Sequence, residues 1–107
     1  MANSRYAIIE APSVLGLFPR GVERLPDALL DAGLAGALDA RRAGRVVPPA
    51  YDARRDAATG LLNPTGLRHF AHQLCDATGD VLDGGEVPVV LGGDCSILLG
   101  NLLALNR

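Results

Sequence analysis

The sequence lacks tryptophan and lysine altogether and has only two cysteines among its 107 residues. Cys75 and Cys95 fit neither a paired framework nor a CxxC pattern, which excludes a disulfide scaffold and a zinc knuckle and predicts two thiols outside disulfides. Aromatic residues make up 4% of the chain, and its ten basic residues are arginines interspersed with acidic ones. Because no aromatic platform lies beside a basic block, nucleic acid is not expected as a partner.

The chain also has no long apolar run. Its start, MANSRYAIIEAP, has neither a cationic leader nor an apolar core long enough for a signal peptide, and no stretch has the length needed to span a bilayer. We therefore expect no membrane partner and a cytoplasmic location. The 49% of apolar residues and the net charge of −2 are typical of one globular domain over residues 1–107.

Apolar runs separated by proline and glycine predict the first elements. RYAIIEAP, Arg5 to Pro12, predicts a strand that ends at its proline. Pro26 suits the first turn of a helix that runs towards Gly33, with a continuation from Leu34 to Arg42. RVVPPAY, Arg45 to Tyr51, predicts a short strand at a sheet edge, because its two prolines cannot donate hydrogen bonds to a neighbouring strand.

The second half of the chain repeats this alternation. Asn63 and Pro64 predict the N-cap and first turn of a helix that ends at Gly84 and Gly85. Helical spacing predicts one apolar stripe along it, formed by Leu67, Phe70, Ala71, Leu74, Thr78, Val81 and Leu82. VPVVLGG is a continuous apolar run typical of a strand buried in a parallel sheet. Together these elements predict an α/β fold with a parallel sheet in a three-layer αβα arrangement.

The last segment, residues 95–105, is predicted to be a helix with apolar residues on almost every side. Such a helix suits burial in something larger than this chain. We therefore expect the chain to be incomplete, with this helix covered either by another copy of the chain or by a missing C-terminal part.

The most informative stretch is the turn that follows VPVVL, with the sequence Gly-Gly-Asp-Cys-Ser over residues 92–96. It places Cys95 at the carboxyl end of a parallel strand, where open α/β sheets bind ligands. Three interpretations of Cys95 remain open: a small buried apolar group beside a capping Asp94, a nucleophile activated by the helix N-terminus, and a metal-binding thiolate. The phosphate-loop patterns GxGxxG and GxxxxGK[ST] and the hydrolase pattern GxSxG are absent.

Four segments resemble the ureohydrolase superfamily of arginases, agmatinases and formimidoylglutamases. IIEAPSVLG is similar to the family's first strand and loop, PRGVERLPDALLDAGL to its G-V-E-x-x-P-x-x-L-x-x-A-G-L segment, and LNPTGLRHF to its Asn-Pro helix start. VPVVLGGDCSILLG is similar to its V-x-L-G-G-D-H-S-x-x-x-G segment. The likeness runs along nearly the whole chain in the family's order and covers the N-terminal third of a full-length member, its first three βα units.

This resemblance implies a metal-dependent hydrolase. Family members have a mainly parallel sheet between helices and a pair of Mn²⁺ ions at its carboxyl edge, whose shared hydroxide attacks a guanidino, amidino or formimidoyl carbon. Their histidine in Gly-Gly-Asp-His-Ser is a metal ligand and corresponds to Cys95 here. Gly92, Gly93, Asp94 and Ser96 correspond to the supporting turn, in which Asp94 orients the backbone.

Two departures from the family pattern limit this expectation. A thiolate is a soft ligand, so Cys95 weakens a Mn²⁺ site or favours Zn²⁺ or Fe²⁺. The family's other ligands come from Asp-x-His-x-Asp and Asp-x-Asp-x-x-Asp segments, which this sequence lacks. The isolated chain is therefore predicted to be inactive, and a truncated relative that acts as a non-catalytic interaction module is an alternative.

A cysteine hydrolase using Cys95 is a second alternative, and it needs a base near the thiol. The only imidazoles, His69 and His72, lie away from the apolar stripe of the Asn-Pro helix and are predicted to face solvent. Asp76, Asp80 and Asp83 have the spacing of a solvated helix face, and Cys75 is predicted to pack at the edge of the stripe.

Overall fold

The computed structural model describes residues 5–106, which form one three-stranded sheet with flanking helices. The strands are β1 (Tyr6–Ala11), β2 (Arg41–Arg45) and β3 (Val87–Gly92), and the helices are α1 (Leu25–Asp31), α2 (Leu34–Leu38), α3 (Pro64–Asp83) and α4 (Leu98–Leu105). Both strand pairs are parallel and the spatial order is β2-β1-β3. The predicted α/β fold with a parallel sheet is confirmed.

The main core lies between β1 and α3. Alternate residues of β1 face α3, and Ile9 packs there with Phe70 and Leu74, all of them buried. Ile8, on the opposite face of the sheet, is buried as well. Five members of the predicted stripe are buried and two are half-buried: Phe70, Ala71, Leu74, Thr78 and Val81, and then Leu67 and Leu82. The helical spacing therefore identified the correct face of α3.

The second strand differs from its prediction. It occupies Arg41–Arg45, whereas the sequence predicted Arg45 to Tyr51, and the preceding helix ends at Leu38 rather than at Arg42. Asp39 adopts a left-handed conformation, with φ of 51°, and stops α2. A segment of three arginines, one alanine and one glycine shows no strand-like alternation, so its position depends on contacts with the rest of the sheet.

Ion pairs supply those contacts. Glu10 of β1 is 7% exposed and accepts hydrogen bonds from Arg42 at 3.3 Å and Arg45 at 3.1 Å. Arg41 donates to both carboxylate oxygens of Glu86, which immediately precedes β3, and this hydrogen bonding holds the pKa of Glu86 below its ordinary value. The arginines of β2 are thereby tied to neighbouring acidic groups, which explains how a charged segment becomes the edge strand.

The predicted last helix begins three residues later than expected, after a 3₁₀ turn like the turn Val22–Arg24 that precedes α1. Residues Cys95–Ile97 form a 3₁₀ turn that leads into α4. Within residues 5–106, no helix combines the length and apolar character required to cross a membrane.

Candidate functional site

The candidate site lies where β1 and β3 end side by side. Ala11 is opposite Gly92 in the parallel register, so the loops that follow both strands meet at the carboxyl edge of the sheet. The backbone N–H of Asp94 donates to the carbonyl oxygen of Ser13 at 2.9 Å, which joins these loops directly. The turn therefore lies at the edge where α/β sheets usually place ligands.

The two glycines allow close packing of this turn. A Cβ atom on Gly93 would lie 2.0 Å from the backbone oxygen of Ser13, and one on Gly92 would lie 2.2 Å from Cδ1 of Ile97. Neither separation is compatible with a side chain unless atoms move. At Gly93 the obstructing atom belongs to the backbone of a loop that is itself buried at Ser13, so little relaxation is available.

Asp94 connects the two loops through its side chain. It is 5% exposed, and its Oδ2 atom accepts a hydrogen bond from the Gly16 N–H at 2.8 Å. Its Oδ1 atom accepts one from the Ser96 N–H at 3.1 Å and another from the Ser96 hydroxyl. Both oxygens are therefore engaged in capping the 3₁₀ turn and in fixing the loop after β1.

Asn63 fixes the same loop from the other side, a role that the sequence did not predict. The helix begins at Pro64 as expected, but Asn63 adopts φ of 48° and its side chain does not cap the helix. Its Nδ2 atom donates to the Leu15 carbonyl at 2.9 Å, and its Oδ1 atom accepts from the Asp52 N–H at 2.7 Å. Asparagine tolerates left-handed backbone angles better than most residues, and that preference was the available signal.

The Cys95 thiol is exposed, whereas Cys75 is buried. The interpretation of Cys95 as a small buried apolar group is therefore wrong, because the 3₁₀ turn directs it outward. Among residues 5–106, no group of three or more histidine, cysteine or acidic side chains is arranged to hold a metal ion. In the described part of the chain, Cys95 is thus an accessible thiol that could bind a metal ion but has no further metal-ligand side chains grouped with it.

The remaining titratable residues of α3 point away from the core. His69 and His72 are exposed, and so are Asp76, Asp80 and Asp83. Over the described residues, no hydrogen bond joins either imidazole to the Cys95 thiol. The structure does not bring a base to Cys95 from this helix.

The hydrogen bonds of Asp94 predict a graded response to mutation. Asp94→Ala removes three accepted hydrogen bonds at a buried position and is expected to destabilise the chain by about 2 kcal/mol. Asp94→Asn keeps one side-chain acceptor and good capping propensity, so about 1 kcal/mol is expected. Urea denaturation followed by circular dichroism measures the free energy of unfolding of both variants and of the unmodified chain. If both variants were as stable as the unmodified chain, these hydrogen bonds would contribute little to stability.

Solved structures of arginases are similar to this chain over almost its whole length. The arginase from Bacillus caldovelox matches with a TM-score of 0.83 and 29% identity, covering 94% of this chain and 36% of that one. The arginase from Bacillus cereus matches at 0.78 and 25%, covering 96% and 35%, and that from Bacillus subtilis at 0.77 and 25%, covering 92% and 32%. No protein-family model and no curated protein sequence matches the chain.

These matches confirm the arginase-like resemblance seen in the sequence. The chain spans about a third of the length of the arginases it matches. Over the residues that these matches cover, the chain has an arginase-like fold.

Proposed function

We propose that this arginase-like chain forms part of a metal-dependent hydrolase that cleaves a C–N bond in a guanidino, amidino or formimidoyl compound. The observation that carries the proposal is the structural likeness to arginases over 92–96% of the chain. It is supported by the Gly-Gly-Asp-Cys-Ser turn at the carboxyl edge of the sheet, in the place where the family has its first histidine ligand.

The chain's own contribution to such a site would be Cys95 and the loops that hold it. The described residues do not fit a pair of Mn²⁺ ions, because one exposed thiol stands without further ligands and Asp94 uses both oxygens elsewhere. We therefore assign no step of the hydrolysis to residues 5–106. A thiolate at this position also favours Zn²⁺ or Fe²⁺ over Mn²⁺.

A chimera tests the proposal. The part of the Bacillus caldovelox arginase that this chain matches is replaced by residues 1–107, once with Cys95 and once with Cys95→His. With Mn²⁺, the Cys95→His chimera is expected to release urea from arginine, and the Cys95 chimera to be at least about tenfold slower because its ligand suits Mn²⁺ poorly. Metal content is measured on both proteins, and the isolated chain is expected to hold no metal pair and to release no urea.

Two results would contradict the proposal in different ways. A folded, metal-loaded Cys95→His chimera without activity would show that the chain is not interchangeable with the matching part of an arginase. An isolated chain that retained two equivalents of Mn²⁺ and released urea would show that residues other than Cys95 complete a metal site within these 107 residues.

Each alternative class has its own requirement. A non-catalytic interaction module is favoured by the exposed leucines of α4 and by Cys95, which belongs to no metal-binding group within residues 5–106. A cysteine hydrolase requires a base beside Cys95, and both histidines are exposed on α3 with no hydrogen bond to the thiol in the described residues. The metal-dependent hydrolase is preferred because the chain is similar to arginases over 92–96% of its length, whereas no base lies beside Cys95 in the described residues.

A further inference from the structure

The edge strand β2 contributes little apolar surface to the fold. Four of its five residues are exposed, and the half-buried one, Ala43, reaches the main core with a single methyl group. A cavity of about 270 Å³ remains between β2 and α3 and is lined on the strand side by Ala43 and Val46. Burial of apolar side chains is therefore not the main attachment of β2.

The backbone pairing of β2 with β1 is also interrupted. The register shifts between Ile8 and Ile9, so Ala43 lies opposite no residue of β1. A bulge of this kind leaves one residue unpaired and disrupts the neighbouring hydrogen bonds. Just beyond β2, the Val46 N–H donates to the Glu10 carbonyl oxygen at 2.8 Å. The amide of Val46 therefore reports whether β2 is attached to β1.

The arginine side chains of β2 are joined to acidic groups on three neighbouring segments. The ion pairs are Arg42 and Arg45 with Glu10 of β1, Arg45 with Asp27 of α1, and Arg41 with Glu86 before β3. Because Glu10 is 7% exposed, its carboxylate depends on the two arginines that face it. Asp80 of α3 lines the same cavity as Arg41 and Arg45 and adds an acidic group on the helix side. Opposite charges therefore surround β2.

We propose that β2 is a salt-sensitive edge strand, which detaches from β1 when dissolved ions screen these pairs, while β1, β3 and α3 stay folded. Its arginine side chains are between 43% and 60% exposed, so ions reach them directly. Each exposed pair is weak by itself, but all of them act on one five-residue strand. The Debye length falls to about 3 Å at 1 M salt, comparable with the ion-pair distances. This inference is independent of the proposed enzymatic function.

Amide hydrogen exchange of the unmodified chain, measured from roughly 0.02 to 1 M sodium chloride, tests the detachment. Protection factors are compared, because they remove the effect of salt on the chemical exchange step. The protection factor of the Val46 amide is expected to fall about tenfold, because β2 opens without the rest of the domain. Those of Leu74 in α3 and Leu91 in β3 are expected to change by less than about twofold.

Glu10→Gln and Asp52→Asn are a matched pair of variants. Each replaces one carboxylate of an ion pair by an amide of similar size, but Asp52 pairs with Arg54 in the loop before α3. Glu10→Gln is expected to lower the protection of the Val46 amide roughly tenfold at low salt and to reduce the further loss that salt causes. Asp52→Asn is expected to leave both quantities unchanged.

The unmodified chain keeps the test decisive even if Glu10→Gln does not fold. Protection of Val46 that stays constant with salt overturns the proposal. So does a parallel loss at Leu74 and Leu91, because β2 would then open only with the whole domain. A folded Glu10→Gln variant with unchanged exchange at Val46, or an equal effect of Asp52→Asn, overturns it too, since the ion pairs of Glu10 would not be what holds the strand.

Discussion

Gly93→Ala is expected to destabilise the chain by about 3 kcal/mol, the upper part of the range for forcing an extra group into a packed site. The added Cβ atom would lie 2.0 Å from the Ser13 carbonyl oxygen, so one of the two loops at the carboxyl edge must move. That movement also disturbs the hydrogen bond from the Asp94 N–H to Ser13. Urea denaturation at one fixed protein concentration measures the effect, with concentration held constant because self-association would shift the midpoint.

Gly36→Ala is the control for this substitution. Gly36 lies within α2, and a Cβ atom there would meet no heavy atom within 4 Å. Replacing an exposed helical glycine by alanine is expected to stabilise the chain by up to about 1 kcal/mol. If Gly93→Ala unfolded at the same urea concentration as Gly36→Ala, the close contact between the two loops would not be a feature of the protein in solution.

The strands and helices that could be predicted from the sequence are those whose hydrophobic pattern lies within a single segment of the chain. β1 and β3 are mainly apolar runs, buried throughout most of β1 and half-buried in the first part of β3, and α3 has its apolar stripe at helical spacing. β2 could not be predicted in this way. Its arginines are stabilised by Glu10 and Glu86, which lie far away in the sequence, and no local pattern in Arg41–Arg45 indicates that pairing.

The candidate site, too, could be predicted only in part from the sequence. A turn after a parallel strand must lie at the carboxyl edge, so the position of Cys95 followed from the order of elements alone. The groups that hold the turn could not be predicted from that order. Gly16 and Ser13 lie about eighty residues earlier in the sequence and meet Asp94 only after β1 and β3 have paired. Asn63 was predicted as an N-cap because that role is local, whereas its actual partners, including Leu15, are distant in the sequence.

Phe70→Ala is expected to have the largest effect of any single substitution considered, about 3–5 kcal/mol. Phe70 is 2% exposed and packs in the cluster formed by the inner face of β1 and by Leu74. Truncation removes apolar contacts and leaves a cavity that the rigid sheet and the long helix cannot close. Because a domain has only about 5–15 kcal/mol of net stability, the variant is expected to lose most of its fold. Urea denaturation and the dispersion of proton NMR signals measure this loss.

The chain provides its own control, since Phe18 is the only other phenylalanine. Phe18 is 47% exposed, and its ring lies 5.9 Å from the guanidinium carbon of Arg20, an exposed cation–π contact worth about 0.5–1 kcal/mol. Phe18→Ala is therefore expected to cost about 1 kcal/mol at most. The two variants lose the same atoms, so most of the difference between them reflects the burial of Phe70. Equal losses would place Phe70 outside the core, and the packing of α3 on β1, which positions the loops around Cys95, would then be incorrect.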